Sequence, residues 1–439
     1  MGTEIEFEIG GASLSWSKNS RGMDHGMLFQ AKDRKRLHSD QIDYDYFTEN
    51  GQDPGLMEMA LCRPLKEIVP RIELLGFTLN EVEREYKKCT ESWLEQCQMM
   101  AHEVEEFSEP DVMTFQEFCA FVAAHPIQTL DHSFISSFDN AESERKIQGR
   151  FDAMPEIRRI PYFPSAIDNT YSERSYFAGL VNFMHPYSTL RLLAQNMSNL
   201  NADVVWQYGP LVENGWASES EFIPDARRNQ TFLIATEGSS DVHIIKHALS
   251  LLKHEIADFF RFIDVSERHP FSGTGNLVKF AEGLVKIDVH NQVVFVLDND
   301  AEGFEAYQRI SDMNLPPNMR AMMLPTLEEF RAFPARGPEG VTNTDINGRA
   351  AAIECYLDLN LHGFEPAKVV WTNYKKELDL YHGALEFKDS YTKAFLKQTA
   401  ETVSAGNYSV HKLQVVLDAL IAECCAVTIE VGRTGLGEI

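Results

Sequence analysis

The sequence lacks any apolar run of the ~18 residues that a membrane-crossing helix needs. Its opening residues, Met1-Gly2-Thr3-Glu4-Ile5-Glu6, have neither the basic nor the apolar region of a secretion signal. Gly2 is not followed by the serine or threonine at position six that amino-terminal myristoylation requires. These absences predict a cytoplasmic protein with no membrane partner. Cysteine is sparse, at seven residues, and no Cys-x-x-Cys pair occurs. Cys89 and Cys97 are too far apart for a zinc knuckle, and Cys424 and Cys425 are adjacent. That argues against a structural zinc and predicts reduced, buried thiols.

Positive charge is also scarce. The formal net charge is -26. A general nucleic-acid coating protein would carry a basic footprint instead. An acidic site neutralised by metal ions remains compatible with this balance. Basic residues concentrate in Lys32-Asp33-Arg34-Lys35-Arg36 and in a stretch from Arg145 through Lys146 and Arg150 to Arg158-Arg159. Both read as a solvated helix face or as phosphate contacts.

Several catalytic signatures are missing. No Gly-x-x-x-x-Gly-Lys-Ser/Thr run is present, so the chain should not hydrolyse ATP itself. His102-Glu103 and His254-Glu255 are not followed by a correctly spaced histidine, which excludes the helix motif of zinc proteases. There is no Gly-x-Ser-x-Gly nucleophile elbow. No arginine is followed by a histidine with four to six residues between them, the pattern of HEPN ribonucleases.

At 439 residues the chain predicts about two to four domains. Hydrophobic residues at 44% and charged residues at 24% place it among soluble globular proteins. Ile5, Phe7 and Ile9 alternate with glutamates, and Gly10-Gly11 marks a turn, so residues 3–17 predict a hairpin. From about Pro64 to Pro126 the pattern is helical. Thr114 and Glu117 form a capping-box sequence ahead of Phe118, Phe121 and Val122. The stretch Asp131 to Pro224 is aromatic-rich and mixed, with no clear assignment.

From Thr231 the rhythm becomes strand, helix, strand, helix. Residues Thr231 to Thr236 read as a buried parallel strand and Asp241 to Leu252 as an amphipathic helix. Phe260 to Asp264 reads as a strand and Leu277 to Ile287 as a helix. Gln292 to Leu297 is the clearest buried strand, and Gly303 to Ile310 begins another helix. The alternation predicts a parallel α/β unit with right-handed crossovers.

Ligands in such sheets bind beyond the carboxyl ends of the strands. Glu237 follows one strand; Asp298 and Asp300 follow another. If the strands are neighbours, three carboxylates converge. Like charges held close repel, and a divalent cation resolves the conflict. Oxygen donors favour magnesium or manganese, and magnesium binds substrate phosphate while keeping several waters. Gly238 is expected to let the chain turn tightly behind Glu237. Gly303 opens a helix whose amino end favours an anion.

Glu237-Gly238-Ser239-Ser240-Asp241, followed at a distance by Asp298-Asn299-Asp300-Ala301-Glu302-Gly303, resembles the Toprim pattern. That pattern has Glu-Gly after a first strand and Asp-x-Asp-x-x-Gly after a later one. Toprim domains occur in topoisomerases, primases, recombination proteins and OLD-like nucleases. Arg349 to Leu357 further resembles an OLD-like helix bearing another acidic residue. By that resemblance Asp241 and Glu354 join Glu237, Asp298 and Asp300 around two ions, which would activate water and stabilise the leaving oxygen. A lysine also assists such enzymes, and Lys376, Lys388 and Lys393 are the candidates. The first thirty residues resemble the amino-terminal module attached to Toprim or HEPN effectors of bacterial conflict systems, which implies anti-phage defence or toxin-like activity. The implied organisation is a module over 1–130, a mixed α/β connection over 131–228, a Toprim domain over 229–360 and an α/β extension over 361–439. The fold class is therefore α/β, preceded by an α+β, mostly helical region.

Plainer readings stand beside these. Asp241 also reads as a helix N-cap and Glu354 as a surface charge. Asp298 to Gly303 mimics the start of a calcium loop, but position twelve is Arg309 rather than glutamate. Gly273-Thr274-Gly275 reads as a loop before a helix, with phosphate contact as the sharper alternative. The functional expectation is a metal-dependent endonuclease acting on DNA or RNA, with Glu237 as ligand or general base. The alternatives are a non-catalytic nucleic-acid-binding or scaffold subunit and a topoisomerase or primase. A separately encoded ATPase or sensor subunit and a homo-oligomer are compatible with the resemblance.

Overall fold

The computed structural model describes residues 2–39, 42–101, 110–136, 141–163, 170–263, 273–375 and 380–434. The chain divides into two units, Met1–Ala226 and Arg227–Ile439.

In the first unit the alternating glutamates and apolar residues form β1 (Glu4–Ile9), which turns back into β2 (Ala12–Lys18). The turn places Gly10 and Gly11 at φ of 53° and 79°, where a Cβ is strained. β3 (Arg34–Arg36), β4 (Met59–Pro64) and β5 (Asp203–Gln207) complete an antiparallel sheet in the order β2-β1-β5-β4-β3. β5 comes from the stretch that had no clear assignment, and it lies between β1 and β4. The expected divide near residue 130 therefore separates no second core. Phe7 and Leu61 from one side of it and Phe177 and Trp206 from the other are buried in one cluster.

The helices of this unit are α1 (Tyr44–Glu49), α2 (Leu65–Leu74), α3 (Leu79–Ala101), α4 (Phe115–Ala124), α5 (Ala141–Gln148), α6 (Glu173–Val181), α7 (Pro186–Leu193) and α8 (Gly209–Glu213). α4 begins where the capping box predicts. The Thr114 hydroxyl accepts from the Glu117 N–H at 3.2 Å, and the Glu117 carboxylate accepts from the Thr114 N–H at 2.7 Å. The basic stretches are largely engaged inside the unit. Arg36 pairs with Asp53 and Glu58, Arg150 with Glu173, and Arg159 with Asp111 and Glu117. Those arginines are neutralised where they stand, so phosphate contact gains no support from them.

Two arginines are fully buried. Arg63 donates to Glu67 at 3.1 Å and to the Gln30 side chain at 3.0 Å. Arg71 donates to the carbonyl oxygens of Met27 and Phe29 at 2.8 and 3.2 Å. A buried guanidinium is stable only when its donors are matched in this way. Both tie the irregular segment before β3 to β4 and α2.

In the second unit β6 (Phe232–Thr236), β7 (Phe260–Phe262), β8 (Gln292–Leu297) and, beyond the short β9 (Asn299–Asp300), β10 (Met319–Met323) are the strands around which the fold is built. β10, β8, β6 and β7 form a parallel sheet in that order. α9 (Ser239–Leu252), α10 (Thr274–Lys286) and α11 (Ala301–Ser311) are the crossovers. Val293, Phe295 and Leu297 cluster with Leu277 and Ala281 of α10 and with Ala306 and Ile310 of α11. Two-residue periodicity directs Val294 and Val296 to the opposite face, where α9 and the helix His411–Arg433 pack.

β11 (Phe333–Gly337) and β12 (Gly340–Thr344) form a hairpin, and β13 (Ala350–Ala351) pairs antiparallel with β9. β14 (Val369–Lys375) joins β11 in parallel, and β15 (Leu380–Leu385) closes that sheet. α12 (Lys388–Phe395), α13 (Ala400–Ser404) and α14 (His411–Arg433) follow. Residues beyond 360 thus pair with and cover those before it. The end of the expected strand at Asp264 lies outside the described residues. Among the described residues no helix is long and apolar enough to cross a membrane.

Replacing Arg71 by methionine should strand the Met27 and Phe29 carbonyls in the core. A hydrogen bond to a charged group is worth about 1.5–3 kcal/mol, so urea denaturation should show a loss of at least that order. An unchanged midpoint would refute the tie.

Candidate functional site

β6 and β8 are adjacent, with Thr236 opposite Val296. Their carboxyl ends therefore release Glu237 and Asp298 side by side. The Asp298 N–H donates to Glu237 Oε1 at 3.1 Å. Asp300 ends β9 and caps α11: its Oδ1 accepts from the Glu302 and Gly303 N–H groups at 2.9 and 2.7 Å. Gly303 is required by space. A Cβ there would stand 2.1 Å from the Asp298 carbonyl oxygen.

Asp241 sits in the first turn of α9, and its Oδ2 accepts from the Gly238 N–H at 2.8 Å. It is not the N-cap of the plainer reading; Gly238 holds that position. Gly238 itself has φ of −148°, an extended conformation open to any residue, so the expected tight turn is absent. Glu354 is buried, which sets aside its reading as a surface charge. The expected helix around it is also absent. Ala350 and Ala351 pair with Asp300 and Asn299 of β9, and Ile353 to Tyr356 form a single 3-10 turn. The Ile353 N–H donates to Asp298 Oδ1 at 2.9 Å. Backbone groups that a helix would use are spent on the strand that carries the site.

The five acidic residues act on one another. Burial pushes Glu237 up to about 8, with Asp300 and Asp241 adding to it. Burial and then Glu354 push Asp241 up to about 6. Asp298 is raised well above the usual carboxylate range by burial, then by Asp241, Glu237, Asp300 and Glu354. Asp300 is raised by burial, against its helix-cap hydrogen bonds and His382. Raised carboxyl groups gathered at a sheet edge make this cluster a candidate functional site.

Of the lysine candidates, Lys388 at the start of α12 is near enough to Asp241 to lower its pKa. Lys393 is exposed in the last turn of that helix, and Lys376 lies outside the described residues. The Gly273 N–H donates to the Glu237 carbonyl at 3.0 Å, so the amino end of α10 borders the cluster. Arg309, at the twelfth position of the calcium-loop reading, is exposed on α11. A bidentate ligand is missing there.

His382 of β15 was not anticipated. Its Nδ1 faces Asp300 Oδ2 at 3.8 Å and, among the described residues, is buried with no hydrogen-bond partner. Among the described residues no three His, Cys, Asp or Glu side chains form a ready metal cage. The donor set nevertheless suits a hydrated divalent cation, which takes one or two carboxylates, waters and substrate phosphate. Asp300 Oδ2 and the orphaned imidazole nitrogen are the donors best placed for it.

Within the first unit there is a cavity of about 740 Å³, lined by Glu4, Glu6, Trp16 and Tyr171 among others. Among the described residues its charged lining groups are the carboxylates of Glu4 and Glu6.

Fold and site define an α/β protein whose parallel sheet carries an acidic cluster at its carboxyl edge, preceded in sequence by an α+β unit. The family model of HEPN/Toprim N-terminal domain 1 matches residues 1–230, and the chain belongs to that family. No curated protein and no solved structure matches the chain.

Because the folded state raises Glu237 from 4.5 to about 8, it retains a proton that the unfolded chain releases. Metal-free protein should therefore lose stability as pH rises through that window. Thermal melts in chelator should show the decline, and Glu237→Gln should make it shallower, with Asp298 and Asp241 contributing the remainder. Equal slopes would sink the assignment. Gly303→Ala should displace the Asp298 backbone and lower the melting temperature by about 2–4 °C for each kcal/mol lost. A wild-type melt would show that the close approach is dispensable.

Proposed function

We propose that this chain is a divalent-metal-dependent endonuclease of Toprim type, an effector of a bacterial conflict system such as anti-phage defence. The observation that carries the reading is the gathering of Glu237, Asp298 and Asp300 at the carboxyl edge of a parallel sheet. Folding alone gains nothing from such repulsion. Membership of a Toprim-associated family supports the class of protein, and the Glu-Gly and Asp-x-Asp-x-x-Gly residues support the type of site.

A bound cation would supply the positive charge that lets this edge accept a phosphodiester. Asp300 and Asp298 are the ligands of this proposal, with Asp241 and Glu354 holding the far side of the cluster. Glu237 keeps one oxygen on the Asp298 N–H. Its other oxygen is the candidate base for the attacking water. Without a cation, burial holds Glu237 up at about 8 and so largely protonated; a bound cation would draw that value down and free the carboxylate to accept a proton. The amino end of α10 adds partial positive charge next to Glu237.

A second reading is a non-catalytic binding or scaffold subunit. It is favoured by the lack of a three-ligand cage among the described residues. The two diverge in a cleavage assay on mixed DNA and tRNA pools, with magnesium, manganese or chelator. The nuclease reading expects metal-dependent products that fall by about 100-fold or more in Glu237→Ala and Asp298→Ala, the scale of an essential catalytic group. Equal cleavage by wild type and both variants would refute it. Calorimetry showing no divalent binding would favour the scaffold.

A further inference from the structure

We propose that His382 Nδ1 is a nitrogen ligand sharing a cation with Asp300, and that the site therefore prefers manganese over magnesium. The inference rests on the metal-binding reading of the cluster and deepens it.

The geometry has three parts. First, Asp300 is fixed in orientation: its Oδ1 is held by two N–H groups of α11, and its Oδ2 is turned to His382. Second, the 3.8 Å separation is too long for a hydrogen bond. It is within the span of two donors that share one cation, since ligand bonds of ~2.1 Å allow at most about 4.2 Å between them. Third, burial leaves Nδ1 without a partner among the described residues. An unsatisfied buried nitrogen is destabilising, and coordination would satisfy it.

His382 does not drift into this place. Neighbouring Gly383 is pressed against β14: a Cβ there would come within 2.8–2.9 Å of Trp371, Val369 and the Val370 carbonyl. β15 also packs on β13 and α11, the two elements that flank Asp300. The imidazole is thus delivered by a second sheet to the open oxygen of the first.

The chemical consequence concerns the ion. A neutral imidazole with its proton on Nε2 presents a lone pair at Nδ1. Magnesium prefers oxygen and holds its waters, whereas first-row transition ions accept imidazole readily. Within that group manganese also accepts carboxylate and water, the other donors at this edge.

The test is binding and spectroscopy on the full chain. Calorimetry should show manganese bound at least 10-fold more tightly than magnesium. His382→Ala and the size-conserving His382→Gln should both weaken manganese by about 10-fold or more while changing magnesium by less than about 3-fold. Pulsed electron paramagnetic resonance of the manganese-loaded wild type should show nitrogen couplings that both variants lose. If manganese binds without nitrogen coupling, or the variants keep wild-type affinity, the His382 assignment is overturned and the carboxylate site stands. If wild-type protein binds neither ion, both readings fall together.

Discussion

Buried like charges at the carboxyl edge of the parallel sheet are the constraint around which the second unit is arranged. Each carboxylate described in detail has one oxygen anchored by a backbone N–H. Asp298 serves Glu237, Gly238 serves Asp241, Ile353 serves Asp298, and Glu302 with Gly303 serve Asp300. A fixed amide dipole partly offsets the cost of burial; in Asp241 the second oxygen is engaged too, by the Ser240 hydroxyl at 3.3 Å. Several local features follow from that anchoring. β13 pairs with β9 rather than continuing as helix, because Ile353 must reach Asp298. Gly303 has no side chain because α11 must start against the Asp298 carbonyl.

Much of this unit was legible in advance. Buried parallel strands are short continuous apolar runs, and Gln292 to Leu297 matches β8 residue for residue. Alternating exposure along Asp241 to Leu252 marked α9, where His243, Lys246 and Ser250 are exposed as their spacing required. Glu237, Asp298 and Asp300 were legible because they sit directly after such strands. Their mutual approach depended only on β6 neighbouring β8.

What escaped was set by tertiary pairing. Glu354 lies in a run with helical periodicity, yet bonds to β9 override it. Gly238 looked like a turn glycine, but its backbone is extended and its useful group is the N–H. β5 could not be read from its own five residues, since its place between β1 and β4 joins segments far apart in sequence. His382 carries no motif at all. It becomes informative only when β15 is laid against β13 and α11, so that a lone histidine on a hairpin strand meets a carboxylate in another sheet. The choice among lysines was of the same kind, and proximity to Asp241 separates Lys388 from Lys393.

The acidity of the chain now has a more specific meaning. In the first unit, arginines that might have met phosphate are held by Glu58, Glu117 and Glu173. At the carboxylate edge the local field opposes a polyanion. A phosphodiester could approach that edge only after the repulsion is cancelled, and the amino end of α10 supplies too little charge to do so alone, since a helix terminus is worth only about half a unit. On the proposed reading, a divalent ion held at these carboxylates would supply the missing positive charge. On the metal reading, cation entry must therefore precede substrate binding. Ion identity then becomes part of how the site is switched on, and an imidazole beside Asp300 would bear on that step before any bond is broken.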